Sequence, residues 1–115
     1  MEIVCEILRL KEDKVKEYTE MHLNPGPELI IETKKAGFVE QYAFIDGNVV
    51  VVISKAENIQ DAAKKLSSTD VFKKWTGAVR KMLILDNMVN LSKIDVITAK
   101  CIFDLNKLFK KFGSK

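Results

Sequence analysis

The segment FVEQYAFIDGNVVVVIS, residues 38–54, holds two apolar runs separated by Asp46-Gly47. Runs of β-branched and aromatic residues on both sides of an Asp-Gly pair are typical of a β-hairpin. We therefore predict one strand over residues 38–45 and a second over residues 48–54. The second strand contains four valines and an isoleucine in succession, residues 49–53, which predicts burial on both faces.

A strand and a helix are predicted before this hairpin. Residues 2–10, EIVCEILRL, carry apolar side chains at odd-numbered and at even-numbered positions. This pattern predicts a first strand that is covered on both faces. The period then changes, because Val15, Tyr18 and His22 recur at the spacing of one helix face. We therefore predict a helix over residues 11–22.

A second helix is predicted after the NPGP segment at residues 24–27. Asparagine is a favoured N-cap and proline suits the first helical position, so we expect Asn24 to cap a helix that begins at Pro25. Gly37 predicts the end of this helix after Ala36, because glycine readily takes the left-handed conformation that closes many helices.

Two more helices and a closing strand are predicted after the hairpin. Apolar residues repeat with helical spacing from Ile59 to Leu66, and the SSTD segment at residues 67–70 then interrupts and recaps the pattern. The helix that follows has one apolar face, formed by Val71, Phe72, Trp75, Ala78, Val79 and Met82. Residues 95–105 are strand-like and come after a loop around residues 86–92.

The predicted order of elements is β-α-α-β-β-α-α-β, a split βαβ pattern with each crossover broken into two helices. This order is typical of a ferredoxin-like α+β sandwich, in which four antiparallel strands carry helices on one face. An apolar face left uncovered by helices would favour a homodimer packed sheet to sheet.

The composition fits one folded domain of 115 residues, with 47% hydrophobic and 30% charged side chains. Disordered and low-complexity classes are excluded, because the chain is rich in apolar residues and has only five glycines and two prolines. No apolar run approaches the roughly 20 residues of a membrane span, and no signal-peptide pattern is present. We therefore expect a cytoplasmic protein that does not act at a membrane.

The net charge of +3 is concentrated near the C-terminus. Residues 106–115 hold four lysines and no acid, whereas residues 1–105 hold 15 basic and 16 acidic side chains. A nearly neutral body is not the charge pattern of a nucleic-acid-binding protein. We predict a single domain over residues 1–105 and a basic tail over residues 106–115. The tail either increases the solubility of the protein or packs against the domain.

Two cysteines and one histidine limit the metal and redox chemistry. Cys5 and Cys101 each lie in an apolar, strand-like run, and we expect buried free thiols, although the predicted topology makes their strands neighbours. With a single histidine and no CxxC spacing, we expect no metal site.

Aromatic and imidazole side chains are the best candidates for chemistry. His22 has a side chain whose ordinary pKa lies close to neutral pH, and Tyr18, four residues earlier, projects from the same helix face. The two either line a pocket or satisfy each other at the boundary of the core. Trp75 is either a core residue or a wall on which a sugar stacks. Tyr42 lies on a predicted strand, and the sequence does not determine whether its side chain faces inward or outward.

Four segments together resemble the L-rhamnose mutarotase family. Residues 17–29, EYTEMHLNPGPEL, resemble the EY…H-N-P…P-E-L segment of that family. The QYA stretch at residues 41–43 is similar to its G…NY strand, and STDV at residues 68–71, followed by Trp75, matches its S-T-D-V…W element. Residues 101–105, CIFDL, are similar to its closing strand.

The resemblance implies a dimeric α/β-barrel enzyme that works without a cofactor and interconverts the anomers of L-rhamnose or a similar deoxy-sugar. It implies that His22 is the proton donor and that Tyr18, Tyr42 and Trp75 contact the sugar. It also implies a homodimer formed through the sheet face.

Two other functions remain open on the same fold. One is a non-enzymatic dimer that binds a small ligand or regulates another process. The other is an oxygenase of the antibiotic-biosynthesis monooxygenase type, which is disfavoured because the single histidine lies beside Tyr18. Aromatic positions of the family pattern are occupied here by Gly26 and Thr76, so the identity of the sugar is also open.

Overall fold

The computed structural model describes residues 1–84 and 97–113, which form one antiparallel sheet of four strands with helices. The strands are β1 (Glu2–Arg9), β2 (Phe38–Asp46), β3 (Val49–Ala56) and β4 (Ile97–Ala99), in the spatial order β2-β3-β1-β4. The helices are α1 (Val15–Leu23), α2 (Pro27–Ala36), α3 (Ile59–Ser67), α4 (Asp70–Arg80) and α5 (Leu105–Phe112). The hairpin between two helical crossovers confirms the predicted ferredoxin-like α+β fold.

Helices α1 to α4 cover one face of the sheet and bury two apolar clusters against it. The clusters consist of Leu10, Tyr18, Val50, Val79, Met82 and Leu83, and of Ala36, Phe38, Ala56, Ala62 and Leu66. Full burial of one such large side chain stabilises a fold by roughly 1.5–3 kcal/mol. The two clusters therefore fix the helices on the sheet and leave a cleft above its centre.

Helix α2 begins two residues later than the sequence predicts. Gly26, with φ of +86°, is the N-cap and Pro27 occupies the first turn, whereas Asn24 still belongs to the end of α1. The backbone N–H of Asn24 donates to the carbonyl of Glu20 at 3.1 Å, so this residue closes one helix and does not open the next. The predicted end at Gly37 is confirmed, because Gly37 has φ of +118° and donates to the last carbonyls of α2.

The hairpin turn lies one residue later than predicted. Asp46 and Val49 are paired across the ladder, so the two loop residues are Gly47 and Asn48. Gly47 has φ of +61°, a conformation that two-residue hairpins need and that glycine takes at low cost.

Strand β3 is buried on one face only, which corrects the prediction from its run of valines. Val50, Ser54 and Ala56 face the helices and are buried, whereas the alternate positions remain partly exposed on the side without helices.

The C-terminal region differs most from the predicted strand over residues 95–105. Strand β4 ends at Ala99, and Asp104 caps helix α5 by accepting a hydrogen bond from the backbone N–H of Lys107 at 3.1 Å. A local cap thus competes with strand extension at these positions. Residues 95 and 96 lie outside the described residues, as does the predicted loop at residues 86–92. Helix α5 spans the boundary that we predicted between the domain and its basic tail.

Both cysteines are free thiols, as predicted, but only one is shielded from solvent. Cys5 in β1 is partly buried, whereas Cys101 lies beyond the end of β4 and is exposed. The expected burial of Cys101 is therefore wrong, because the strand that would have covered it stops two residues earlier. Within residues 1–84 and 97–113, no helix is long and apolar enough to cross a membrane.

Candidate active site

A cleft of about 570 Å³ lies between the sheet and helices α1, α2 and α4. Its walls are mostly apolar, with a few polar groups, which is typical of sites for small molecules. Leu8 and Val52 contribute to the sheet side, and Leu29 and Val79 contribute to the helix side. All four residues that the sequence singled out also line this cleft: Tyr18, His22, Tyr42 and Trp75.

The imidazole of His22 is oriented by its own helix. Its Nδ1 atom lies 2.8 Å from the carbonyl oxygen of Tyr18, one turn earlier in α1. Because a carbonyl oxygen can only accept, Nδ1 carries the hydrogen and donates it. The neutral ring therefore keeps its lone pair on Nε2, which is the nitrogen left for a ligand in the cleft.

Aromatic rings enclose the imidazole from two elements. The ring of Tyr18 stacks on it with centroids 4.0 Å apart, and the ring of Trp75 from α4 meets its edge at 4.9 Å. The first contact follows from the i, i+4 spacing on α1, whereas the second depends on how α4 docks. Both residues also pack against the apolar core, so Tyr18 and Trp75 are core residues that line the cleft as well.

Burial changes the acid–base properties of both groups. Desolvation lowers the pKa of His22 from its usual 6.5, and the hydrogen bond to Tyr18 opposes part of this change. Burial also raises the pKa of Tyr18 to about 12. At neutral pH the imidazole is therefore largely unprotonated, ready to accept a proton, while the phenol keeps its hydrogen.

Tyr42 is placed apart from this group. A β-bulge lies in β2, because Phe38 pairs with Ala56 while Glu40 pairs with the next residue, Lys55. The extra residue shifts the alternation by one, so Tyr42 shares the open face with Phe44, and their ring centroids are 6.4 Å apart. Tyr42 does border the cleft, but its hydroxyl donates to Glu40 at 3.4 Å on the open face.

Two polar residues on the sheet side of the cleft were not predicted from the sequence. Glu6 of β1 and Gln41 of β2 both line the cleft, and Gln41 donates from Nε2 to Oγ of Ser54 at 2.9 Å. The available signal was the isolated carboxylate of Glu6 at a position that alternates with Val4 and Leu8. A charged residue at a core-facing strand position is unusual and indicates a specific role.

No cluster of three or more histidine, cysteine, aspartate or glutamate side chains suited to a metal ion occurs in residues 1–84 and 97–113. The polar groups that line the described part of the cleft include the imidazole of His22, the carboxylate of Glu6, the phenol of Tyr18 and the amide of Gln41.

The chain is similar to one known protein family over most of its length. Residues 3–105 match the sequence profile of the L-rhamnose mutarotase family. The chain belongs to the L-rhamnose mutarotase family. Members of this family belong to the isomerase class, and the match covers every element except most of α5.

Solved structures show the same fold. An L-rhamnose mutarotase from Formosa agariphila superimposes with a TM-score of 0.71 at 20% identity, covering 91% of this chain and 99% of that one. An antibiotic biosynthesis monooxygenase gives a TM-score of 0.61 at 13% identity, covering 88% and 98% of the two chains. A protein from Mycobacterium tuberculosis gives 0.61 at 10% identity, covering 90% and 96%. No curated protein sequence matches the chain at a significant level.

Proposed function

We propose that this protein is a mutarotase that interconverts the α and β anomers of L-rhamnose or a similar deoxy-sugar pyranose, with His22 as the acid–base group. The observation that carries the proposal is the imidazole itself. Its Nδ1 is fixed on a backbone carbonyl and its Nε2 is left for the cleft between Tyr18 and Trp75. Family membership supplies the reaction class.

Mutarotation needs a proton to leave the anomeric hydroxyl and a proton to reach the ring oxygen. Both oxygens are bonded to the same carbon, so one nitrogen placed beside that carbon can serve both. Neutral Nε2 accepts the hydroxyl proton, and the imidazolium returns it to the ring oxygen as the ring opens to the aldehyde. Rotation of the aldehyde and the reverse transfers close the ring on the other face. Such assistance contributes roughly 10²–10⁴-fold to a rate.

Two aromatic residues have roles that suit this chemistry. The phenol of Tyr18 has no hydrogen-bond partner among residues 1–84 and 97–113, and its pKa of about 12 keeps it a donor for a sugar hydroxyl. The indole of Trp75 offers a flat surface to the apolar C–H face of a pyranose. Tyr42 borders the cleft from the sheet and stays a proposed third sugar contact.

The open face of the sheet supports a homodimer packed sheet to sheet. Phe44 is 58% exposed, Tyr42 is 51% exposed and Ile3 is 58% exposed on the side that no described helix covers. Apolar surface concentrated on one face is typical of an association surface. We propose that a second copy covers this face and that the enzyme acts in the cytoplasm.

Anomer exchange measured by NMR saturation transfer on L-rhamnose tests the proposal. We expect the protein to exceed the spontaneous rate and His22→Ala to reduce this excess by roughly 10²-fold or more. Lys16→Ala, on the exposed side of the same helix, is the matched control and should keep the wild-type rate. Circular dichroism checks that both variants fold.

Other results would point elsewhere. If the wild type is inactive on L-rhamnose, L-fucose, D-mannose and D-galactose but binds one of them, the alternative of a non-enzymatic ligand-binding dimer is correct. Exchange that persists in His22→Ala would contradict the assignment of the acid–base group while leaving the reaction in place.

A further inference from the structure

Three polar side chains form a row across neighbouring strands on the face that carries the cleft. Gln41 of β2 is paired with Ser54 of β3, and Ser54 is paired with Val4 of β1. Glu6 lies two residues after Val4 and therefore projects from the same face, diagonal to Ser54. Gln41, Ser54 and Glu6 thus lie side by side on three neighbouring strands. His22 lines the same cleft from the helix layer.

The Glu6 carboxylate has unused hydrogen-bonding capacity. Lys34 donates to the carbonyl of Val39 at 3.0 Å and Glu40 pairs with Lys55 at 3.7 Å, so these charged residues of the cleft have partners. Glu6 is partly buried and has no partner among the residues that the structure describes. Both oxygens of this carboxylate can accept hydrogen bonds, and Glu6 lines the cleft, so a ligand bound there can donate to it.

The other two members of the row, Gln41 and Ser54, are hydrogen-bonded to each other. Ser54 is only 1% exposed and accepts from the Gln41 amide, so its own hydroxyl hydrogen remains free to donate. Glu6 and Gln41 also line a second cavity of about 290 Å³ that adjoins the main cleft, and Ser54 lines this second cavity. The row is therefore positioned between the main cleft and a smaller recess.

We propose that Glu6, supported by Gln41 and Ser54, binds adjacent hydroxyl groups of the sugar from the sheet side and makes this enzyme selective for pyranoses that keep those hydroxyls. This inference rests on the function proposed above. A carboxylate has two oxygens and can accept from two neighbouring hydroxyls at once, and hydrogen bonds to a charged acceptor are stronger than neutral ones. The sugar is held between this row and His22.

Isothermal titration calorimetry with L-rhamnose and its 2-deoxy, 3-deoxy and 4-deoxy analogues tests the proposal. For wild type, we expect removal of at least one ring hydroxyl to weaken binding by roughly tenfold or more. Glu6→Gln should weaken binding of L-rhamnose by about the same factor and lose most of the discrimination against that analogue. Glu20→Gln, an exposed carboxylate on α1, is the matched control and should retain wild-type affinities.

Gln41→Met is the second variant, because it removes the amide from an exposed position and keeps the side-chain volume. We expect it to weaken binding of L-rhamnose several-fold, since Ser54 loses the partner that orients it. Thermal unfolding shows whether Glu6→Gln and Gln41→Met fold. If one of them does not, the binding data of the other variant decide the test. Wild-type affinity and wild-type discrimination in the folded variants would overturn the proposal.

The outcomes separate this proposal from the proposed reaction. Exchange that depends on His22, together with binding that is indifferent to Glu6 and Gln41, would overturn the hydroxyl-binding row alone. Binding that depends on Glu6 in a protein without any anomer exchange would overturn the mutarotase function and keep the row. A wild-type protein that neither binds nor exchanges any of these sugars would overturn both.

Discussion

His22 shows how a single residue acquires its chemistry from its surroundings. Its position on α1 supplies the Nδ1 hydrogen bond, and the rings of Tyr18 and Trp75 remove water from around it. The first effect fixes the tautomer, and the second makes the charged form less favourable. An ordinary surface histidine has neither feature.

The titration of His22 is directly measurable, because the chain has one histidine and its Cε1 proton gives a single NMR signal. We expect the midpoint below 6.5, since burial lowers this pKa. Because the neutral form accepts the first proton, exchange activity should be constant near neutral pH and fall as the pH drops through this midpoint. A midpoint at or above 6.5 would contradict the burial argument.

Trp75 should control this pKa through the space that it fills. In Trp75→Ala, water reaches the edge of the imidazole that the indole now covers, so the pKa of His22 should rise towards 6.5. The same NMR titration measures the change. Phe112→Ala, in the exposed helix α5, serves as a control that removes an aromatic ring without altering the titration.

At the scale of elements, one hydroxyl joins the two helices of the second crossover. Oγ1 of Thr69 donates to the carbonyl of Leu66 at 2.7 Å at the end of α3 and accepts from the N–H of Phe72 at 3.3 Å at the start of α4. Capping at this point sets where α4 begins and hence which side chains face the cleft. Trp75 lies in the second turn of that helix.

Thr69→Ala should therefore lower the free energy of unfolding by about 1 kcal/mol, the usual cost of losing a threonine N-cap. Urea denaturation followed by tryptophan fluorescence measures it, because the single tryptophan lies on this helix. Ser67→Ala is the control, since that exposed hydroxyl only donates within its own helix and its loss should cost less than about 0.5 kcal/mol. Equal losses in the two variants would contradict the capping role.

At the scale of the whole molecule, the two faces of the sheet differ in how well their apolar side chains are covered. One face is covered by α1 to α4 and contains the buried clusters, whereas the other exposes apolar side chains of β1 and β2. Val49, Val51 and Ile53 of β3 lie on this second face and are partly exposed. Such a surface is consistent with the proposed sheet-to-sheet dimer.

Analytical ultracentrifugation should give twice the mass of the chain for wild type. Phe44→Lys places a charge on the open face and should shift the protein to the mass of one chain at micromolar concentration. Ile31→Lys, an exposed apolar residue of α2 on the helix side, is the matched control and should remain a dimer. A monomeric wild type, or a dimeric Phe44→Lys variant, would contradict the proposed interface.

The sequence by itself determined the features that depend on neighbours along the chain. The order of elements from β1 to β4, the end of α2 at Gly37 and the cap at Thr69 follow from backbone periods and local hydrogen bonds. The pairing of Tyr18 with His22 follows from the helical repeat, which places residues four apart on one face. These features could be predicted because each is fixed within a few residues.

Only the tertiary structure decided the features that depend on register and docking. The extra residue in β2 turns Gln41 towards the cleft and places Tyr42 beside Phe44, because a shift of one position reverses the face of every following side chain. The approach of Trp75 to His22 and the alignment of Glu6 with Ser54 join residues that are distant in sequence. Their positions depend on strand pairing and helix packing, which no local pattern specifies.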